Sequence, residues 1–387
     1  MDIKHILKDH AYQNIPLNFE EAYELGRCAI AGCNGDTLSQ IQTITALSAL
    51  HNKATYEWIY SIGAGHSHGH ELPQNSAEQI AGICAAVFDH DIAKSSSGFL
   101  NPRKSHVMDN CGMGGDLIVT ANVSTISAFI ACAAGATIAK HGSPANADVG
   151  RHGSSDFISM LGINTYASKS EVENCIEQKG FGYTEALDTQ YKRIHLQTHE
   201  FARLPHMNDI IGPITNPVSP KLITARVLGV NHLISPRIIA EVYAILNAKQ
   251  YTNIKHGLFV RGYTDERHYE GMDEVSICSG GTNVVEFRSG EMIEYHLQAS
   301  DFGLEPVAPI LISPPGGMSK GKCSLAVLKG EMSGPILNMV LANASLLLYL
   351  DGFSKNLKQC YKMAEYIHMS GDAYRKAMHV ASLLPKK

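Results

Sequence analysis

Between Val107 and Lys140 the chain reads VMDNCGMGGDLIVTANVSTISAFIACAAGATIAK. Val107 to Asp109 has the apolar character of a short strand, and it runs into a glycine-rich loop. A helix of small residues is predicted from Ser124 to Ala134, and Ala136 to Lys140 resembles a second buried strand. Strand, loop, helix and strand in this order are typical of a parallel α/β sheet. This stretch therefore predicts an α/β fold with a mainly parallel central sheet.

The residues on either side of this unit predict the rest of the architecture. Apolar residues recur at helical spacing from Asn18 to Leu50 and from Ser76 to Phe88, which predicts an all-helical N-terminal unit ending near residues 94–104. Beyond the unit, the sequence predicts strands over 226–230, 256–261 and 275–278, and helices over 171–178, 237–246 and 335–349.

Composition disfavours several classes of function. The chain has 387 residues, of which 44% are hydrophobic, so it can bury a large core and form about two domains. A formal net charge of -5 and the lack of a Lys/Arg run disfavour a nucleic-acid partner. The sequence shows neither a signal peptide nor an apolar stretch of membrane-spanning length. Nine cysteines without CxxC spacing indicate reduced thiols, so we expect a cytoplasmic protein.

The glycine loop and the helix after it have the chemistry of an anion site. Gly112, Gly114 and Gly115 let the backbone approach a ligand closely. Asn122, Ser124 and Thr125 then place donors at the positive N-terminus of the predicted helix. A tight turn with an ordinary polar helix cap would also explain these residues.

A second group of donors follows the next strand. Lys140 can supply a positive charge to a phosphate, and His141 a ring nitrogen, at the strand end where open α/β sheets bind ligands. Gly150 to Asp156 then precedes another predicted helix, with Ser154 and Ser155 as donors. Two anion sites one βα unit apart suit a substrate with phosphate groups at two places.

Asp273 and Glu274 are the predicted metal ligands. They lie side by side after Gly271-Met272, in a loop just before a predicted strand. Carboxylates of this kind hold Mg²⁺ together with waters and substrate phosphates, although two solvated surface acids are a commoner explanation of such a pair.

Three alternating histidines, His66, His68 and His70, form a different cluster. Their spacing would allow convergence on a metal. The sequence offers no obvious further ligand for such a site, so we interpret them as part of a polar surface loop.

Six motifs in order, GMGGD, NVST, KHG, GSSD, GPITNP and GMDE, resemble the anthranilate phosphoribosyltransferase family across roughly residues 105–350. The resemblance implies a small helical domain on a larger α/β domain that binds phosphoribosyl pyrophosphate (PRPP). The helical, dimerisation domain would comprise residues 1–104 plus about 186–216, and the α/β domain residues 105–185 plus 217–387. A homodimer, Mg²⁺ and a place in tryptophan biosynthesis are also implied.

Carried over by motif, the resemblance also implies roles for single residues. Ser124, Asp273 and Glu274 would bind the metal, and Lys140, His141, Asp273 and Glu274 would be catalytic. PRPP would contact the loop, the helix start and the following segments: Gly112, Gly114, Gly115, Asp116, Asn122, Ser124, Thr125, Lys140 and Ser154.

The acceptor side departs from the family pattern. Ser143-Pro144 stands where the family has Asn-Arg after KHG, and His199 stands about where it has a helix Arg. Ser and Pro cannot form a bidentate carboxylate clamp. We therefore expect His141, Ser143 and His199 to bind an aromatic nitrogen acceptor, with anthranilate as the default.

Three alternatives remain open from the sequence. The same transfer could use a different acceptor. A pyrimidine nucleoside phosphorylase shares the glycine loop and the lysine but would lack the GMDE pair. A non-catalytic homologue that binds nucleic acid would make the retained donor motifs redundant, and the acidic net charge disfavours it.

Overall fold

The protein is described by a computed structural model that covers residues 16–32, 76–116, 118–144, 153–188, 190–195, 208–231, 234–266 and 271–386. Predictions made for 38–50, for His66, His68 and His70, and for His199 lie outside these residues. The helices are α1 (Phe19–Gly32), α2 (Ser76–Ala86), α3 (Val123–Ala133), α4 (Ser154–Met160), α5 (Lys169–Lys179), α6 (Asn208–Ile214), α7 (Pro236–Ala248), α8 (Lys320–Lys329), α9 (Pro335–Leu350), α10 (Leu357–Met369) and α11 (Asp372–Leu383). Within the described ranges, no helix is both long and apolar enough to cross a membrane.

An eight-stranded sheet organises the larger part of the chain. Its strands follow the order β3-β2-β1-β4-β5-β7-β8, with β6 paired to β5. Neighbours from β3 to β5 are parallel, while β6, β7 and β8 are antiparallel additions. The predicted α/β class with a mainly parallel sheet is confirmed. The strands are β1 (Val107–Gly112), β2 (Ile138–Gly142), β3 (Phe181–Glu185), β4 (Ile223–Gly229), β5 (His256–Tyr263), β6 (Gly271–Met272), β7 (Thr282–Arg288) and β8 (Glu291–Leu297).

Local sequence explains the hairpin between β7 and β8. Ser289 and Gly290 connect the strands, with φ angles of 51° and 95°. Two successive positive φ values are the signature of a type I′ turn, whose twist matches that of the flanking strands. The antiparallel edge of the sheet is therefore set by this turn.

Helices α3 and α9 form the apolar layer against the sheet. Helix α3 is buried along nearly its whole length, and its small residues allow close approach. Helix α9 is mainly apolar and buried along most of its length, as expected of a helix inside a core. The hydroxyl of Ser127 in α3 donates to the carbonyl of Val340 in α9 at 3.0 Å, and Phe129 stacks on Phe181 of β3 at 4.5 Å. These contacts hold α3 against α9 and against β3 of the sheet.

The predicted strand over 275–278 is wrong. Only Cys278 forms an isolated bridge, to Val307. Side chains satisfy the backbone instead: the amide of Ser276 donates to the Thr282 hydroxyl, and the Ser276 hydroxyl donates to the carbonyl of Tyr263. The apolar run is buried as an irregular segment because these contacts replace a ladder of backbone hydrogen bonds.

The chain divides into two compact units. One spans Met1–Phe99, Ala186–Pro217 and Leu233–Thr252, and the other spans Leu100–Glu185, Val218–His232 and Asn253–Lys387. The family resemblance implies that 233–252 belongs to the α/β domain, whereas in the structure this segment belongs to the first unit. The reason is that α7 packs against α2.

Candidate active site

Three carboxylates meet beside the glycine loop. Ligand atoms of Asp116, Asp273 and Glu274 all lie within 4.8 Å of one another. The amide of Gly114 donates to Oδ2 of Asp273 at 2.6 Å, and the amide of Asp273 donates to Oδ1 of Asp116 at 2.8 Å. The hydroxyl of Thr120 donates to Oε2 of Glu274 at 3.0 Å. These hydrogen bonds therefore connect the glycine loop and the residues after it to the GMDE segment.

Two glycines at the strand ends make room for Asp273. Gly112 of β1 and Gly229 of β4 are paired across the sheet. A methyl group on Gly112 would overlap the Asp273 carboxylate, and one on Gly229 would overlap the Asp273 carbonyl. Asp273 can therefore occupy this position only because both strands end in glycine.

Asn343 of α9 holds the acidic segment from the other side. Its side-chain oxygen accepts a hydrogen bond from the amide of Val275 at 2.9 Å, and its Nδ2 donates to the Val275 carbonyl at 3.1 Å. Val275 directly follows Glu274, so these two bonds fix the backbone next to the carboxylate pair. The sequence analysis gave Asn343 no role at the site.

The electrostatics of the cluster suit a divalent cation. Burial, followed by the charge of Asp273, raises the pKa of Glu274 to about 8. Burial, followed by the charges of Asp273 and Glu274, also holds the pKa of Asp116 well above its ordinary value. Three carboxylates this close and this poorly solvated resist joint ionisation unless a cation neutralises them. Their oxygen atoms are the ligand type that Mg²⁺ prefers, so the residues present fit this metal.

The glycine loop itself leaves its backbone accessible. Gly114 and Gly115 have φ angles of 74° and 81°, which side-chain-bearing residues rarely adopt. Both residues are exposed, and the space next to each α-carbon is open. A ligand can therefore approach the backbone here closely, as the sequence predicts.

Lys140 lies at the junction of β1, β2 and α3. Its Nζ donates to the carbonyl of Asn110 at 2.7 Å and to the hydroxyl of Ser124 at 3.1 Å. The side-chain amide of Asn110 donates in turn to the Ser124 carbonyl at 2.7 Å. Burial lowers the pKa of Lys140. The structure thus brings together Lys140 and Ser124, and it places the Ser124 hydroxyl against Lys140.

The start of α3 is held by a residue that the sequence analysis did not identify. The backbone amide and Nδ2 of Asn122 both donate to the Ser324 hydroxyl, at 2.8 and 3.1 Å. Ser324 lies on α8 and donates to the carbonyl of Lys320 at 2.7 Å. Thr125, one turn further along α3, is fully buried, and its hydroxyl has no hydrogen-bond partner among the described residues.

His141 is separated from Lys140 by the sheet. Successive side chains of a strand point to opposite faces, so the two neighbours on β2 diverge. The ring of His141 is 2% exposed, and its Nδ1 lies 3.6 Å from Oδ1 of Asp109. His141 is predicted from the sequence to be catalytic, like Lys140, and also to bind the acceptor, whereas the structure places its ring beside the buried Asp109 carboxylate.

Ser143 and Ser154 come together beyond the ends of β2 and β3. The amide of Ser155 donates to the Ser143 carbonyl at 3.3 Å. The Ser154 hydroxyl lies 3.2 Å from the hydroxyl of Tyr183, in a space that a methyl group on Gly142 would fill. The segment after β2, where Ser143 is predicted to bind the acceptor, and the start of α4, predicted as the second anion site, are therefore neighbours.

Comparison with known proteins identifies similar chains. Residues 104–374 match the family described as "Glycosyl transferase family, a/b domain". The anthranilate phosphoribosyltransferase of Haloferax volcanii is 33% identical over 306 residues, which cover 78% of this chain and 84% of that protein. The crystal structure of the enzyme of that name from Thermus thermophilus superimposes with a TM-score of 0.74 at 26% identity, covering 99% of both chains. The Saccharomyces cerevisiae enzyme in complex with PRPP and Mg shares the fold, with a TM-score of 0.74 at 22% identity, over 99% of this chain and 97% of that one.

Proposed function

This chain belongs to the anthranilate phosphoribosyltransferase family, and from that premise we propose that it transfers the 5-phosphoribosyl group of PRPP to the nitrogen of an aromatic amine. Pyrophosphate is the second product, and anthranilate, for which the relatives are named, is the acceptor to test first. The observation that carries the proposal is the union of the glycine loop with the GMDE acids through Gly114, Asp116 and Asp273. That union supports a site in which the proposed anion donors and the proposed metal ligands act together.

In this proposal, the groups around the glycine loop bind PRPP. The exposed backbone of Gly114 and Gly115 would face the pyrophosphate, and Lys140 would supply positive charge from the end of β2. Thr125 and Asn122 lie at the start of α3, where partial positive charge favours phosphate oxygens. The remaining predicted PRPP ligands, Gly112, Ser124 and Ser154, stay part of the same proposal.

Mg²⁺ would be held by Asp116, Asp273 and Glu274, and Mg²⁺ is present with PRPP in the related yeast enzyme. When bound, the metal would neutralise the leaving pyrophosphate. Asp116 is an addition to the sequence prediction, which gave it a role in PRPP binding. Ser124 remains a proposed metal ligand, although its hydroxyl accepts a hydrogen bond from Lys140 here.

The chain's own contribution to the reaction is chiefly positional. Pyrophosphate is already a good leaving group once its charge is balanced, so neither a covalent nucleophile nor a strong base is required. The backbone amides of the loop and the lysine would hold the donor so that its reacting carbon faces the acceptor nitrogen. These donors also stabilise the negative charge that develops as the bond to pyrophosphate breaks.

Of the three predicted acceptor-binding residues, Ser143 stays in the proposal, His199 lies beyond the described residues, and the buried ring of His141 faces Asp109 instead. Ser143 directly follows β2, and the Ser154 hydroxyl lies 3.2 Å from the Tyr183 hydroxyl. Hydroxyls can bind the carboxylate of anthranilate, but only singly, whereas Arg binds it through two parallel bonds. An aromatic amine other than anthranilate is therefore the second candidate acceptor.

The assembly and location of the protein belong to the same proposal. We place the helical unit at a homodimer interface and the protein in the cytoplasm. Light scattering coupled to gel filtration would test the first part, because a monomer mass at all concentrations contradicts it.

The deciding experiment measures pyrophosphate release from PRPP, with and without Mg²⁺, across anthranilate, other aminobenzoates, aniline-type amines and free nucleobases. Mg²⁺-dependent release with an aromatic amine is the expected result, and the preferred amine identifies the acceptor. Phosphate-dependent cleavage of a nucleoside without Mg²⁺ would instead indicate a nucleoside phosphorylase. Single-stranded DNA is included as a binding control, and salt-sensitive binding without turnover would favour a non-catalytic homologue.

A further inference from the structure

Three buried ionisable side chains lie in a row across the centre of the sheet. Arg226 of β4 forms an ion pair with Asp109 of β1, with Nη2 2.9 Å from Oδ2, and His141 of β2 lies 3.6 Å from the other carboxylate oxygen. Asp109 and Arg226 are partners in the register of the sheet. The exposed fractions of Asp109, His141 and Arg226 are 0%, 2% and 1%, so the whole row lies in the protein interior.

Burying ionisable side chains in a protein interior carries a large desolvation penalty. Moving a carboxylate and a guanidinium out of water costs several kcal/mol each, and apolar residues of similar volume often serve stability equally well. A buried ion pair adds a defined geometry, since the hydrogen bonds between its partners form only over a narrow range of distances and angles. The best-attested use of buried charges of this kind is to fix register.

The three strands that the row joins are the three that carry the proposed PRPP site. Asp109 is followed on β1 by Gly112 and the glycine loop. His141 is next to Lys140 on β2. Arg226 precedes Gly229 on β4, where the missing side chain makes room for the Asp273 carbonyl. A shift of any one strand along its axis would separate the loop, the lysine and the acidic segment.

The residues of the proposed PRPP site and the residues of the buried row point to opposite faces of the sheet. Lys140 and Asn110 point to the side of the sheet where Ser124 begins α3. Asp109 and His141, their neighbours in sequence, point to the other side. The row can therefore hold the strands without occupying the space that a ligand would use.

We infer that Asp109, His141 and Arg226 form a positioning network, which holds the ends of β1, β2 and β4 in the alignment that PRPP binding requires. The inference rests on the proposed function, because it concerns the same donor site. These residues act through the strands they join, and none of them is expected to touch PRPP. His141 thereby acquires a positioning role in place of the catalytic one.

The test compares single and paired neutralisation. Asp109→Asn removes the carboxylate charge that lies 2.9 Å from the buried Arg226 guanidinium, so it should lower the melting temperature. We expect it also to raise the KM for PRPP about tenfold, as supporting residues of ligand sites commonly do, with the KM for the acceptor changed less than about twofold. The double variant Asp109→Asn/Arg226→Met removes both charges and should recover stability. It should nevertheless keep the raised KM for PRPP, because the alignment of the strands is lost.

A matched control comes from another buried pair of the same sheet. His256 Nε2 and Glu286 Oε1 lie 2.6 Å apart on β5 and β7, which are not among the three strands of the row, although β5 is paired with β4. Glu286→Gln should lower the melting temperature while the KM for PRPP stays at the wild-type value. A purely structural effect on Asp109→Asn would give the same pattern as this control.

Two further outcomes separate the inference from the proposed function. If the double variant is stable and binds PRPP as the wild type does, the network has no positioning role and the inference fails. PRPP binding is read independently of turnover, from the shift in melting temperature on adding PRPP with Mg²⁺. If the wild-type protein itself shows neither this shift nor pyrophosphate release, it is the proposed function that fails.

Discussion

The backbone amide of Gly114 donates a hydrogen bond to Oδ2 of Asp273 at 2.6 Å, although the two residues are 159 positions apart in the chain. An amide in this loop is a group that a phosphate oxygen would use, and here a carboxylate occupies it. Asp273 thus connects the glycine loop, which we propose binds PRPP, to the carboxylates that we propose bind Mg²⁺. If a phosphate oxygen accepted the Gly114 hydrogen bond instead, Oδ2 of Asp273 would be available to bind a metal.

Neutralising the acidic pair should remove metal-dependent activity. For Asp273→Asn/Glu274→Gln we expect a loss of Mg²⁺-dependent pyrophosphate release of at least ~100-fold, because the metal loses two of its three proposed charged ligands. The thermal shift induced by Mg²⁺ with PRPP should disappear as well. Glu291→Gln, an exposed carboxylate of the same sheet, is the control. Unchanged turnover in the double variant would refute the metal assignment.

Removing the charge of Lys140 should weaken donor binding without unfolding the protein. Lys140→Met keeps most of the side-chain volume and relieves the burial of a cation, so we expect stability to be retained. The KM for PRPP should rise about tenfold, equivalent to about 1.4 kcal/mol. Lys255→Met alters an exposed lysine just before β5 and should leave this KM unchanged. An unaltered KM in Lys140→Met would remove the lysine from the site.

Ser324 should control the orientation of Asn122. In Ser324→Ala the hydroxyl that receives both the amide and Nδ2 of Asn122 is lost, at a cost of about 1 kcal/mol per bond. We expect the KM for PRPP to rise about fivefold, and Ser324→Thr, which keeps the hydroxyl, to restore it in large part. Ser345→Ala removes a buried helical hydroxyl that donates to Leu341, away from Asn122. If both alanine variants behave alike, Ser324 contributes only to stability.

Glu286 should make stability fall in acid. Burial acts to raise the pKa of Glu286, but hydrogen bonds from His256, Tyr349 and Tyr295 outweigh it, so the pKa lies below its ordinary value of 4.5. A lowered pKa stabilises the folded state above the unfolded value, and that contribution is lost as pH falls through the folded value. Glu286→Gln should cost on the order of 1–3 kcal/mol near neutral pH. Urea unfolding at stepwise lower pH should show the two proteins converging, and a constant difference would contradict this.

The sequence was sufficient for the local elements of the site. The glycine loop, the start of α3 and the positions of Lys140, Asp273 and Glu274 were all evident from residue type and spacing. Strand β8 and the irregular 275–278 segment were not, since β8 pairs through a turn of two positive φ values and the segment exchanges its backbone bonds with side chains. In both cases the structure of the segment depends on the residues that it contacts, not on its own sequence alone.

What the sequence by itself determined is the strand-loop-helix-strand unit from Val107 to Lys140, with the glycines and the polar helix start that we propose bind an anion. These features are local, because the conformational freedom of glycine and the position of a helix start depend on neighbouring residues. The tertiary structure alone decided that Asp116 joins Asp273 and Glu274, that Ser324 holds Asn122, and that His141 faces Asp109 rather than the ligand side. The physical reason is that these contacts join residues far apart in the chain, or depend on which face of a strand a side chain takes. Only the packing of the strands and helices around the sheet brings such groups within bonding distance.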